Sequence, residues 1–362
     1  MTLELIRKIA LLIFVPFLFV TIFIPYVRKI AFQINAVDNH IGGRHIHKKP
    51  IPKLGGVAIF FGFLFGYMLF GIQSAMMNAI LIGSFIIVLI GVIDDITELK
   101  PMTKFLGQLA AACVVVFYGN ILLSDISAFG VYINFNIISY PLTIFFILGC
   151  INCINFIDGL DGLSGGISLI YYLTIGIIAT IQGKMGLDFI LSFVMLGSTL
   201  GFLVYNFNPA MIFAGDSGAM FMGFIISIIA LLGFKNVTMT SLIIPLLVLA
   251  IPILDTLFAI LRRTLKGEKV SQGDRFHIHH QLLNRNFSQR TAVLIIFGVD
   301  LLFAAASIVY VLKDALLGYI LYGLLLVIVL VFVIKTNVVF DKESDTFFVR
   351  IKQKIKKVGK RN

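Results

Sequence analysis

Asparagines and aspartates at three-residue spacing close a long apolar run between Asn152 and Gly166, which reads N-C-I-N-F-I-D-G-L-D-G-L-S-G-G. Asn152 with Asn155, and Asp158 with Asp161, repeat the i, i+3 step that puts side chains on one helix face. The interleaved glycines let the backbone turn tightly and approach a ligand. A charge at a helix centre in hydrocarbon costs roughly 2.5–3.5 kcal/mol, so acids packed at a membrane boundary are candidates for chemistry. The plainer alternative is a polar cap with glycines for turning.

Four other stretches carry residues of the same kind. Gly91-Val-Ile-Asp94-Asp95 ends another apolar run. Adjacent carboxylates repel unless a cation sits beside them, and Mg²⁺, which prefers oxygen ligands, answers that need, with Mn²⁺ as the alternative. In N-F-N-P-A-M-I-F-A-G-D-S-G, Asp216 stands between Gly215 and Gly218 just before a helix, as an ion ligand or as an N-cap. A first basic segment, 28–53, gathers Arg44, His45, His47, Lys48, Lys49 and Lys53 around Pro50 and Pro52, cations that can meet a phosphate-bearing ligand. A second, 262–290, holds Arg262, Arg263, Lys266, Lys269 and then Asp274-Arg275-Phe276-His277-Ile278-His279-His280. Its histidines can donate to a pyrophosphate or bind a metal; with the metal assigned to the carboxylates, the phosphate role is favoured. Asp255 and Asp300 lie within spans. Asp255 is expected to border the site and Asp300 to be satisfied by a neighbouring helix, neither with a catalytic role.

The elements that must position these groups are membrane helices. Hydrophobic residues make up 59% of the chain and charged residues 13%, with 35 phenylalanines, which excludes an ordinary soluble domain. Eleven runs of spanning length are expected, at 9–27, 54–73, 76–93, 102–119, 139–157, 164–181, 188–205, 217–233, 241–261, 291–312 and 315–334. The fold class is therefore an all-α polytopic membrane protein. Period-two alternation over 131–137 predicts a short outside hairpin. Cys150 and Cys153 sit in an apolar span without a thioredoxin-like setting, so no redox or metal role follows.

Lys and Arg set the orientation. With the N-terminus outside and the C-terminus cytoplasmic, 24 of the 29 fall on inside segments. The first helix is read as retained, not as a signal peptide. The net charge of +11 belongs to this bias and does not indicate nucleic acid. An integral membrane domain over 1–335 precedes a basic cytoplasmic tail, 336–362. There Phe347, Ile351, Ile355 and Val358 recur at helical spacing among cations, as in a helix lying on anionic lipid. This topology puts Asp94, Asp95, Asn155, Asp158, Asp161, Asp216 and both basic segments on one face. Acids for a cation, bases for phosphate and lipid nearby describe phosphoryl transfer at the inner membrane surface.

The residues resemble the polyprenyl-phosphate N-acetylhexosamine-1-phosphate transferase family from about residue 28 to 285. Its pattern N-x-x-N-x-x-D-G-x-D-G-L is met by Asn152, Asn155, Asp158-Gly159 and Asp161-Gly162-Leu163; its paired acids by Asp94-Asp95; its G-D-S-G turn by Gly215 to Gly218. His277-Ile278-His279-His280 is similar to the motif of members that use UDP-N-acetylglucosamine. The branch using UDP-N-acetylmuramoyl-pentapeptide carries a longer histidine run ending in an acid. The first loop departs from the family's R-K-x-H, since Arg44-His45-Ile46-His47 has His where Lys is usual. Pro50, Pro52, Gly55 and Gly56 match.

The resemblance implies attack by undecaprenyl phosphate on UDP-N-acetylglucosamine, or another UDP-N-acetylhexosamine, giving the lipid-diphosphate sugar and UMP for a cell-envelope glycan such as teichoic acid or O-antigen. It implies Asp216 and Asn155 on Mg²⁺, and Asp94 and Asp95 on the lipid phosphate. Asn152, Asp158, Asp161, Lys48, Lys53, Arg275, His277, His279 and His280 would lie on the nucleotide and its diphosphate. Dimers are common among such proteins. An ion-coupled transporter is the alternative of another class, although transporters hold their acids near the midplane.

Overall fold

The computed structural model describes residues 2–38, 50–128, 131–183, 185–234, 246, 248–266, 277–312 and 315–335. Lys48, Arg275, the tail 336–362 and much of both basic segments lie outside these residues.

Twelve α-helices are found among the described residues: α1 (Leu3–Gln33), α2 (Gly55–Phe70), α3 (Ala75–Thr97), α4 (Pro101–Cys113), α5 (Ser139–Ile157), α6 (Leu163–Ile181), α7 (Leu187–Asn206), α8 (Gly215–Phe234), α9 (Ala250–Lys266), α10 (Ile278–Asn284), α11 (Gln289–Leu312) and α12 (Ala315–Lys335). Their ends follow local chemistry. The Ser74 hydroxyl caps α3 by accepting the Met77 N–H at 3.1 Å. α3 stops where Glu98 turns left-handed, and Pro101 opens α4. The last turn of α4 widens into a π-helical segment, Val114–Tyr118.

Among the described residues, eight helical segments are long and apolar enough to cross a membrane, and Gly55–Phe70 and Leu316–Val331 are shorter apolar helices. Ten of the eleven expected runs thus coincide with apolar helices. The other, 241–261, is only partly among the described residues, where its second half continues as α9. Large apolar side chains such as Phe14, Met68, Phe145 and Leu316 point outward, as a lipid-facing surface requires. The chain is a multi-pass membrane protein.

The core is centred on α8. Along its apolar stretch 89% of the residues are buried, against 22% for α1, so α8 is the hub and α1 the rim. Helices α2, α3, α5, α6 and α7 pack around it, while α1 packs on α2 and α7, and α11 on α6 and α12. Tyrosines tie the layers: Tyr171 and Tyr172 of α6 donate to the Ile226 and Met222 carbonyls of α8 at 3.2 and 3.1 Å. Such bonds supply part of the association that the hydrophobic effect cannot drive in lipid.

Two small antiparallel pairs are found among the described residues. β1 (Val37–Asp38) pairs with β2 (Ile51–Pro52), and β3 (Asp125–Ala128) with β4 (Val131–Asn134) in the register Asp125 to Asn134. The second lies where the alternation predicts a hairpin. Asp300 corrects an expectation. It is fully buried in α11, yet neither carboxylate oxygen has a hydrogen-bond partner among the described residues. One turn earlier Phe297 packs on Gly166 of α6, an apolar contact that offers no donor.

Candidate active site

The N-terminus of α8 is built by close backbone approaches. Gly215 has φ +69°, and a Cβ there would lie 2.5 Å from Asp95 Oδ2, so only glycine fits. Segment 52–56 runs alongside it: Phe213 donates to the Pro52 carbonyl at 2.8 Å, and Gly55 and Gly56 donate to the Phe213 and Ala214 carbonyls, each at 2.9 Å. This strap brings Lys53 beside Gly215. At Gly91 of α3 a Cβ would strike the Ser217 backbone. That contact explains the next one: Asp95, one turn further along α3, accepts the Asp216 N–H at 2.8 Å, the Ser217 N–H at 3.2 Å and the Ser217 hydroxyl at 2.8 Å. Asp95 thus caps α8 from another helix, and both its oxygens are committed.

Asp94 faces a different partner. Its Oδ1 accepts the Leu99 N–H at 2.7 Å, and its Oδ2 lies 2.6 Å from Lys104 Nζ. Lys104, in the first turn of α4, also reaches Asp216 Oδ1 at 3.1 Å. The Asn155 side chain hydrogen-bonds Asp216 as well. Two carboxylates, an amide and an ammonium therefore converge from α3, α8, α5 and α4. Among the described residues no group of three His, Cys, Asp or Glu side chains could hold a metal ion. Mg²⁺ does not need one: it typically takes one or two carboxylates and leaves its other positions to water and substrate phosphates. Asp94, Asp216 and Asn155 are hard oxygen donors placed where the protein already holds a positive charge, and they fit such an ion.

The D-G-L-D-G turn divides its work. Asn152 sits inward, donating to Gln108 Oε1 at 3.0 Å and to the Leu148 carbonyl at 2.8 Å. Asp158 accepts the Ser164 hydroxyl at 2.5 Å. Burial pushes its carboxyl up to about 7, aided by the charges of Asp216 and Asp161 and opposed by the Ser164 bond. Asp161 accepts the Asn208 side-chain amide and the Ala210 N–H, both at 3.0 Å. Asn206 accepts the Gly162 N–H at 3.0 Å and donates to the Ile212 carbonyl at 2.9 Å. Asn208 is held in addition by Gln289 Oε1 at 2.7 Å and, at its carbonyl, by Arg290 at 2.8 Å. The second half of the motif thus braces the loop that delivers Asp216.

The histidines meet this turn from the other side. A Cβ on Gly159 would lie 2.5 Å from His279 Nε2, so the glycine makes room for the ring. His279 stacks on His277, with centroids 5.6 Å apart and planes 6° off parallel, and lies 4.3 Å from His280. Burial holds His279 down to about 3, with His280 and His277 nearby adding to the effect and Asp255 opposing it. His279 is therefore neutral at physiological pH, and charge toward a diphosphate must come from other groups. His277 Nδ1 lies 2.7 Å from Asp255 Oδ2.

The structure brings Lys53, Asp94, Asp95, Asn155, Asp158, Asp161, Asp216, His277, His279 and His280 to the ends of helices gathered around the start of α8. The sequence reading missed Lys104, Ser164, Ser217, Asn206, Asn208, Gln289 and Arg290. Lys104 carried a signal: it is one of two cations in the short segment 94–104 and follows a helix-opening proline. Asn206 and Asn208 stood in N-F-N-P, beside the chosen Asp216.

A bundle of apolar helices with acids, a bridging lysine and histidines at one end defines a multi-pass membrane enzyme of phosphoryl-group transfer. The chain belongs to glycosyl transferase family 4, whose model matches residues 77–234. It is 40% identical over 326 residues, 89% of this chain and 90% of the relative, to a Bacillus subtilis protein named "probable undecaprenyl-phosphate N-acetylglucosaminyl 1-phosphate transferase". It is 31% identical to the decaprenyl-phosphate N-acetylglucosaminephosphotransferase of Mycolicibacterium smegmatis over 79% of this chain and 78% of that one. It is also 29% identical to the undecaprenyl-phosphate alpha-N-acetylglucosaminyl 1-phosphate transferase of Escherichia coli K12 over 81% of each.

Proposed function

We propose that this protein transfers N-acetylglucosamine-1-phosphate from UDP-N-acetylglucosamine to undecaprenyl phosphate, releasing UMP. The observation that carries this reading is the convergence of Asp94, Asp216, Asn155 and Lys104 at the start of α8. It occurs in a chain that matches, nearly end to end, relatives named for that chemistry. An oxygen of the lipid phosphate attacks the β-phosphorus of the UDP-sugar; the bond to the oxygen shared with the α-phosphate breaks, and that oxygen leaves with UMP. A bound Mg²⁺, or Mn²⁺ in its place, would screen the diphosphate and stabilise the charge that develops on UMP. Asp94, Asp216 and Asn155 are the side chains that would hold it.

The remaining residues bind and orient. Lys104 balances Asp94 and Asp216 before substrate arrives and then turns its charge to phosphate. Asp95 keeps Asp216 in place through the α8 cap. Asp158 and Asp161 face the nucleotide side, Asp161 chiefly by fixing residues 208–210. Lys48, Lys53, Arg275 and His277 to His280 hold the diphosphate and sugar. A phosphate monoester loses its second proton near pH 6, so positioning matters more than a strong general base. The chain crosses a bacterial cytoplasmic membrane eleven times, with the N-terminus outside, the β3–β4 hairpin on that side, and the site and tail 336–362 in the cytoplasm.

The test is UMP release by detergent-purified protein with Mg²⁺ and undecaprenyl phosphate, given in parallel UDP-N-acetylglucosamine, UDP-N-acetylgalactosamine and UDP-N-acetylmuramoyl-pentapeptide. UMP that requires lipid, metal and the first sugar is the expected result. Folded protein that releases none from any donor overturns the reading.

A further inference from the structure

Asp255 is a buried acid in α9, 2% exposed, and an acid so placed must find compensation. Both its oxygens serve the start of α10. Oδ2 lies 2.7 Å from His277 Nδ1, and Oδ1 accepts the Ile278 N–H at 2.8 Å. His277 is the residue before the first turn of α10, extended at φ −59°, ψ 152°, and its own side chain makes no cap bond. Asp255 thus supplies, from a different helix, an acceptor for one of the N–H groups that the start of α10 leaves unpaired. One carboxylate therefore fixes both the backbone and the ring of the same residue.

The ring bond has a chemical consequence. A neutral imidazole carries one N–H, and a carboxylate against Nδ1 requires the hydrogen there. Nε2 is then the atom left for a ligand: an acceptor in the neutral ring and a donor once protonated, with Asp255 offsetting the charge. We propose that Asp255 is a positioning residue that locks His277 in the Nδ1–H form and so presents Nε2 to the diphosphate or sugar of the donor substrate. The inference rests on the reading that His277 to His280 handle the UDP-sugar. It assigns Asp255 a part in turnover through His277 without contact with substrate, in the manner of carboxylates that orient histidine bases or metal ligands.

Asp255→Asn separates this role from a structural one. The amide oxygen can still accept the Ile278 N–H, whereas the amide NH₂ can only donate to Nδ1 and drives the ring hydrogen to Nε2. In full-length detergent-purified enzyme, this variant is expected to melt like the parent and keep KM for UDP-N-acetylglucosamine within a few-fold. Its kcat for UMP release falls on the order of tenfold to a hundredfold. Histidine ¹⁵N spectra at mildly alkaline pH, with the His277 signal identified by its loss in His277→Ala, should show Nδ1–H in the parent and Nε2–H in Asp255→Asn. In a His277→Ala background, Asp255→Asn should cost nothing further. Parent-like kcat, an unmoved ¹⁵N signature, or full additivity with His277→Ala overturns the proposal. A parent enzyme that releases no UMP defeats the functional reading instead, and the spectra still decide the pairing.

Discussion

Asp95 accepts the backbone N–H of Asp216 at 2.8 Å, so the acid pair of α3 reaches the acid of α8 through a helix cap. Asp94 and Asp95 are neighbours in sequence with different work, one facing Lys104 and one holding α8. Asp95→Ala removes an acceptor shared by two N–H groups and a hydroxyl, and is expected to cost about 1–2 kcal/mol of stability along with most turnover. Asp94→Asn keeps an oxygen for the Leu99 N–H, so it should lose turnover with a much smaller change in melting temperature. Melts and UMP release measured on both variants check the contrast; equal melting losses would contradict it.

Lys104 bridges Asp94 and Asp216 at 2.6 and 3.1 Å, the place argued above for a divalent ion. Replacing it by Met removes the internal cation from two carboxylates. Mn²⁺ binding, followed by electron paramagnetic resonance, should therefore hold or tighten in Lys104→Met and weaken in Asp216→Ala. UMP release should fall in both. Weaker Mn²⁺ binding in Lys104→Met would show that the lysine is not a competitor at that site.

The spans were legible because a run of apolar residues near 20 long has few other uses, and ten of eleven expected runs coincide with apolar helices. The acids of the site were legible for the same reason: Asp94, Asp158 and Asp216 stand out against hydrocarbon. Lys104 was hidden by the rule that located the helices, since a lysine just after a span counts first as a topology signal. Asp95 and Asp161 were visible as acids, but their bonds were not. Which carboxylate caps and which faces a cation depends on how closely α3 meets α8 at Gly91, a tertiary fact. The Asn208, Gln289 and Arg290 contacts join residues about eighty positions apart, beyond any local pattern.

Two glycines predict opposite failures. At Gly56 a Cβ would meet the backbone of Ser217 and Gly218, which cannot move without shifting α8. Gly56→Ala should destabilise at or above the upper end of about 1–3 kcal/mol typical of overpacking. At Gly159 the obstacle is the buried His279 ring, a side chain that can turn where backbone cannot. Gly159→Ala should fold and melt near the parent while KM for the UDP-sugar rises. A folded, active Gly56→Ala would remove the argument that the strap 52–56 must touch α8.

Asp158 makes stability depend on pH in a direction its surroundings dictate. Its carboxyl moves from an ordinary value of 3.8 to about 7, because burial outweighs the Ser164 bond and the charges of Asp216 and Asp161 add to it. The folded protein then keeps a proton that the unfolded chain has already released. Stability from this group is complete below about pH 4, declines as pH rises toward 7, and is level above that. Asp158→Asn has no such proton. The melting temperature of the variant minus that of the parent should therefore climb between about pH 5 and 7 and then flatten, without substrate or metal present. The amide oxygen of the variant can still accept the Ser164 hydroxyl, so any change in that bond adds only a constant offset. A difference that stays flat across that window would mean the Asp158 carboxyl is ionised throughout, and that the turn between α5 and α6 is wetter than its packing indicates.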